Sequence, residues 1–232
     1  MSFLKDILFP KFCLGCSRPG VYICHHCQKK LLYIKTQKCF YCKKTSLYNL
    51  THINCLKKLY IDQVGSIFYY NDFLKKIIKN IKYRYAKEIL KELFKIIKVE
   101  NIGFLELYKN IKDEIFIQPI PLHKSRFNER GFNQAQIITD YLSGFIDYPA
   151  VDYLERVKQT KNQAEIKDKY KRFQNVRGAF RLRKNIDLGL IKNKRVILVD
   201  DVITTGHTVN EAAKIFKKAG VLKVYCFTLA QG

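Results

Sequence analysis

The chain has 232 residues, enough for one α/β domain of ordinary size and a small appendage. Its 43 Lys and Arg against 20 Asp and Glu give a formal charge of +23, which excludes an acidic surface and points to polyanionic partners such as nucleic acid, the plainer alternative being a lysine-rich solvated surface. No run of 18 or more apolar residues occurs, so no membrane insertion is expected. Residues 1–10, short and carrying Asp6, read as a docking helix rather than a signal peptide, and the expectation is a cytoplasmic protein.

The first structured segment is a cysteine-rich head, residues 1–58, holding eleven basic side chains and one acidic. It contains Cys13-x-x-Cys16, Cys24-x-x-Cys27, Cys39-x-x-Cys42 and His52-x-x-Cys55. A two-residue gap lets two ligands from one tight turn meet a tetrahedral metal, so these eight side chains suffice for two structural zinc ions. The simplest pairing is sequential, Cys13, Cys16, Cys24 and Cys27 on one ion and Cys39, Cys42, His52 and Cys55 on the other. An interleaved cross-brace, a solvent-facing His52 with Cys55 binding alone, and iron–sulfur ligation are the alternatives. Disulfides are disfavoured by the cytosolic setting and the odd cysteine count of the head. His25 and His26 sit inside a turn and read as exposed.

Residues 59–232 read as a second domain. A strand is expected over 64–70, followed by a helix burying Phe73, Leu74, Ile77, Ile78 and Ile81, and then one burying Ile89, Leu90, Leu93, Phe94 and Ile97. The apolar run from Ile115 is a strand ended by Pro119 and Pro121. A loop over 123–134 leads into a helix carrying Ala135, Ile138, Leu142 and Phe145. In that loop Lys124, Arg126 and Arg130 lie between a strand end and a helix start, placed to hold a pyrophosphate. Residues 156–178 are polar and weakly periodic, as in a mobile lid. Cys226, in an apolar run, is an inert core residue.

Residues 196–208, Val-Ile-Leu-Val-Asp-Asp-Val-Ile-Thr-Thr-Gly-His-Thr, are the most informative. Four apolar residues make a doubly covered strand, with Asp200 and Asp201 at its carboxyl end, where open α/β sheets bind ligands. The turn of Thr204, Thr205, Gly206, His207 and Thr208 opens a helix, whose free N–H groups and dipole favour a phosphate. An anion turn beside two carboxylates suits a ligand with a phosphate at one end and sugar hydroxyls or magnesium at the other. There is no Walker A loop.

This stretch resembles the type I phosphoribosyltransferase signature. Lys82-Tyr83, Pro119-x-Pro-Leu-His123, Arg130-Gly-Phe-Asn-Gln134, Arg156 with Gln159-Thr160 and Gln163, Asn175-Val-x-Gly-Ala-Phe180 and the paired cysteines together resemble the ComF family. The resemblance implies an α/β fold, a mostly parallel sheet flanked by helices, with an N-terminal zinc-ribbon head. It also implies that Asp200 and Asp201 address the ribose hydroxyls of phosphoribosyl pyrophosphate with magnesium, that the turn 204–208 holds its 5-phosphate, and that the protein supports DNA uptake in natural competence. Phosphoribosyl transfer to an unidentified acceptor is then the enzymatic expectation, with no general base apparent. Purine-salvage members of the fold carry an acid where this chain has Thr204, which argues against a 6-oxopurine acceptor. The rival expectation is a non-catalytic module binding single-stranded DNA, with Phe127 and Phe132 meeting bases, or binding a DNA-translocating partner.

Overall fold

The computed structural model describes residues 10–83, 85–108, 114–160 and 168–232. Residues 1–9 of the expected docking helix, Arg84, and the segment 161–167 with Gln163 lie outside the described residues.

The strands are β1 (Gln63–Tyr69), β2 (Ile115–Pro119), β3 (Leu154–Arg156), β4 (Phe180–Leu182), β5 (Arg195–Ile203) and β6 (Lys223–Gln231). Four of them form an all-parallel sheet in the order β1-β6-β5-β2, and β3 pairs with β4 as an antiparallel flap. The described helices are α1 (His25–Gln28), α2 (Ile53–Leu56), α3 (Asp72–Ile81), α4 (Ala86–Ile96), α5 (Lys124–Arg130), α6 (Gln134–Ile146), α7 (Lys169–Val176) and α8 (His207–Lys218).

The sheet is buried on both faces, as a parallel sheet requires. Along β5, Ile197 and Val199 enter a core shared with α3, α4 and α6, while Val196 and Leu198 enter a second core shared with α8 and the flap. The periodic helices form where their apolar spacing predicts, with two exceptions: Ile97 lies just past the end of α4 in extended conformation and is half-buried, and Phe145 on α6 is 52% exposed, because α6 turns that position away from the sheet. The expected loop over 123–134 contains α5, capped by the His123 ring and ended by Gly131 at φ 75°. The expected lid is partly ordered packing: its start and its continuation past residue 178 form the flap, and α7 lies against α8 with Phe173 edge-on to His207, ring centroids 5.8 Å apart.

The head divides into two lobes. In the first, Cys13, Cys24, Cys27 and Leu31 share a core with Phe68 and Leu74, and the Tyr22 and Ile23 N–H groups donate to the Glu92 carboxylate on α4 at 2.8 and 3.0 Å. Ile34 N–H donates to Ile67 O, and Tyr69 N–H to Leu32 O, so the connection between the lobes lines the β1 edge. The second lobe, with α2, sits on the other face, where Phe40 joins the core containing Ile203 and Val209.

Candidate functional site

β2 ends where Pro119 faces Val199, while β5 runs four residues further beside β6. This corrects the expectation that the strand stops at Val199: Asp200 and Asp201 belong to the β5–β6 ladder, and they meet open space because their other neighbour has ended. A cavity of about 420 Å³ fills that space. It is lined by Asp200, Asp201 and the whole turn from Thr204 to Thr208, and by Lys82, Arg126, Arg130 and Arg156. Lys124 does not line it and lies exposed at the start of α5.

The two carboxylates are unequal. Lys82, at the C-terminal end of α3, places its Nζ 2.8 Å from Asp201 Oδ2. Burial works against ionisation of Asp201, but that ammonium outweighs it and holds the carboxyl below its usual range. Asp200 makes no ion pair among the described residues; burial first and the Asp201 charge second push it well above the usual carboxylate range. The pair therefore gives up its two protons in separate steps, with Lys82 raised in turn by Asp201.

The anion turn takes its shape from Gly206, at φ 75°, which precedes α8 and carries no side chain to cap it. By contrast α3, α6 and α7 are capped by Asn71, Asn133 and Asp168. The first turn of α8 thus faces the cavity with backbone N–H groups and the positive end of its dipole, beside the hydroxyls of Thr204, Thr205 and Thr208.

The cationic wall is held by the remaining motif residues. Arg130 donates to Gln134 Oε1 at 3.2 Å, Gly131 closes α5, and Asn133 caps α6 while donating to Ile120 O at 3.0 Å. Phe132 packs into the core and Phe127 points outward. Arg126 donates to Thr160 O at 2.8 Å, and Arg156 to Thr160 Oγ1 at 2.5 Å, so the buried Thr160 holds both guanidinium groups. Arg156 also lies over the Phe180 ring at 5.3 Å. Its burial, with Arg126 nearby, lowers its pKa to about 10. Lys82 and Arg156 were visible in sequence as motif positions without a role, because their partners Asp201 and Arg126 are distant in the chain.

The cysteine head forms two separate quartets, Cys13/Cys16/Cys24/Cys27 and Cys39/Cys42/His52/Cys55, the ligand atoms of each lying within 4.8 Å of one another. The sequential grouping, not a cross-brace, matches this geometry. Cys16 and Cys24 Sγ are 3.6 Å apart, close to the roughly 3.8 Å edge of a tetrahedron with zinc–sulfur bonds of about 2.3 Å. His52 turns Nδ1 toward Cys42 Sγ at 3.2 Å and has Nε2 3.1 Å from Thr45 O, the outer hydrogen bond that fixes a metal-binding imidazole. Backbone N–H groups also converge on the Cys13 and Cys39 sulfurs, as they do around metal thiolates. The donor set therefore fits two tetrahedral metal ions. His25 and His26 are exposed and outside both quartets.

Residues 129–232 match the family model described as phosphoribosyl transferase domain. The chain is 32% identical over 212 residues to competence protein F of Haemophilus influenzae, covering 90% of each chain. It is 29% identical over 220 residues to competence protein ComFC of Bacillus subtilis, covering 91% of this chain and 85% of that one. DNA utilization protein YhgH of Escherichia coli strain K12 is 30% identical over 119 residues, covering 50% of this chain and 48% of that one. Among the described residues no helix is long and apolar enough to cross a membrane.

Proposed function

We propose, for a chain that belongs to the ComF family of competence proteins and carries a phosphoribosyl transferase domain, that the cleft at the end of β5 binds phosphoribosyl pyrophosphate in the service of DNA uptake. The observation that carries this reading is the composition of the cavity: an uncapped helix N-terminus, a carboxylate pair held by Lys82, and three arginines line one space. Such a site suits a ligand with phosphate at both ends and hydroxyls between.

In this reading the 204–208 turn takes the 5-phosphate, Asp200 and Asp201 accept from the ribose hydroxyls, and Arg126, Arg130 and Arg156 meet the pyrophosphate. The carboxylates and the pyrophosphate oxygens together would hold magnesium, which supplies charge neutralisation on the leaving group. Lys82 keeps one carboxylate ionised, so the ribose has an acceptor before any proton is lost. If an acceptor is present, its attack at the anomeric carbon breaks the bond to pyrophosphate; the arginines stabilise the charge growing on the departing oxygen, and the flap with α7 excludes water. The head is read as a two-zinc structural unit, with the domain limits 1–58 and 59–232. The place of action is the cytoplasm.

Calorimetric titration with phosphoribosyl pyrophosphate and magnesium, on the wild type and on an Asp200→Asn/Asp201→Asn variant, tests the reading. Saturable binding lost in the variant supports it. Absence of binding by the folded wild type overturns it. Release of pyrophosphate on addition of an acceptor separates an enzyme from a sensor.

A nucleic-acid role is the second reading, favoured by Tyr41 in the second lobe and Tyr60 just past it, both exposed and close in sequence to the exposed Lys43, Lys57 and Lys58. Binding of single-stranded DNA that weakens steeply with salt, and weakens further in a Tyr41→Ala/Tyr60→Ala variant, supports it.

A further inference from the structure

The second lobe of the head touches the phosphate turn directly. Phe40, the residue after the ligand Cys39, is 6% exposed and packs with Ile203 and Val209, which flank the turn on both sides. Its ring lies so close to Gly206 that a Cβ built there would be 2.7 Å from Phe40 Cε1 and 3.2 Å from Cζ. The knuckle that presents the ring is tightly fixed: Lys43 N–H donates to Cys39 O and Cys39 N–H to Lys44 O, each at 2.9 Å, and Lys43 Nζ stands 4.4 Å above the ring. A second contact follows five residues after Cys55, where Tyr60 N–H donates to Asn210 Oδ1 in the first turn of α8 at 2.7 Å. The buried residues of the first lobe pack instead with α3 and α4.

The consequence follows from close packing. A turn whose N–H groups must converge on a phosphate tolerates little displacement, and the residue that sets the curvature, Gly206, is wedged against a ring whose own position depends on the Cys39/Cys42/His52/Cys55 quartet. We infer that Phe40 is a positioning residue for the phosphate turn, and that metal held by the second quartet sets the affinity of that turn for a phosphate monoester. This rests on the reading of residues 204–208 as a phosphate site. It gives the second lobe a task the first does not share.

The test uses two probes that divide the cleft. Ribose 5-phosphate engages the turn and the carboxylates, whereas inorganic pyrophosphate engages the arginine wall; each is titrated calorimetrically with magnesium, and metal content is measured on the same samples. Phe40→Ala is expected to weaken ribose 5-phosphate about tenfold or more while leaving pyrophosphate within about twofold and metal content at the wild-type value. Ile23→Ala, an equally buried truncation in the first lobe, is expected to change neither affinity. Phe40→Leu, which retains most of the volume, gives the same selective loss at smaller size and replaces the alanine variant if that fails to fold. Stripping metal from the wild type with a chelator reproduces the selective loss. Parallel weakening of both probes by Phe40→Leu, or no change in either, overturns the inference while the phosphate reading stands. A folded wild type that binds neither probe overturns both.

Discussion

Asp200→Asn should make the protein more stable while removing its ligand. Burial first and the Asp201 charge second oppose ionisation of Asp200, and at an effective dielectric of ~20 two like charges about 5 Å apart repel by roughly 3 kcal/mol. Lys82 is engaged with Asp201 at 2.8 Å but also attracts Asp200, offsetting part of that repulsion. A residual cost of about 1–2 kcal/mol is expected, and for a chain of this length its removal raises Tm by roughly 2–8 °C. The sign follows from the raised carboxyl: above the unfolded pKa of about 3.9 the unfolded chain gives up the proton that the folded Asp200 keeps, so this residue destabilises the fold increasingly as pH rises. The amide has no proton to lose. The gain over wild type should therefore be near zero at pH 4 and grow to a plateau once pH passes the folded-state pKa of Asp200. Thermal unfolding of both proteins from pH 4 to pH 8, with phosphoribosyl pyrophosphate titrated at pH 7.5, provides the measurement. A variant no more stable than wild type at pH 7.5, or a gain independent of pH, refutes the account of the pair.

Lys82→Met leaves Asp201 buried without its counter-ion and should cost about 2–4 kcal/mol in urea unfolding; adding Asp201→Asn should recover part of the loss, showing that the two act as one unit. Gly206→Ala combines a left-handed φ with a Cβ driven against Phe40, so a loss of about 1–3 kcal/mol and of ribose 5-phosphate binding is expected, read by denaturation and calorimetry. Metal analysis should find two equivalents per chain, falling to one in Cys55→Ser. Chelation should lower the Tm of the whole chain in a single transition, because Cys13, Cys24 and Cys27 share their core with Phe68 and Leu74; a head that melts alone while the sheet stays intact would contradict this.

The core and the ligand sets were legible because each rests on local spacing. The 3.6 period of Phe73, Leu74, Ile77 and Ile81 makes α3 in any context that offers a sheet, and the paired C-x-x-C spacing gives the quartets their turns. What the sequence hid depends on contacts between distant segments. α5 was read as a loop because it is one short polar helix with no buried residue, stabilised by its His123 cap and by Gly131 rather than by an apolar stripe. Lys124 belonged to the right cluster by number, yet only Arg126 and Arg130, four residues apart, project from the face of α5 that meets the cavity. Arg156 reaches the same wall from the flap because Thr160 binds it together with Arg126, a relation across thirty-four positions for the Arg126–Thr160 bond. The contact of Phe40 with Gly206 spans most of the chain and leaves no trace in local pattern.

The cavity concentrates cost on both of its walls. On one, burial and a neighbouring carboxylate oppose ionisation of Asp200; on the other, a guanidinium is desolvated beside a second guanidinium. Folding alone would favour neither arrangement, since each opposes ionisation of a group that would be charged in water. A single ligand relieves both only if it brings anionic oxygens to the arginines and hydroxyls or a cation to the carboxylates. A purely anionic polymer satisfies the arginines and worsens the setting of the carboxylates. The carboxylate pair therefore argues that nucleic acid, if the basic surface binds it, does so outside this cleft.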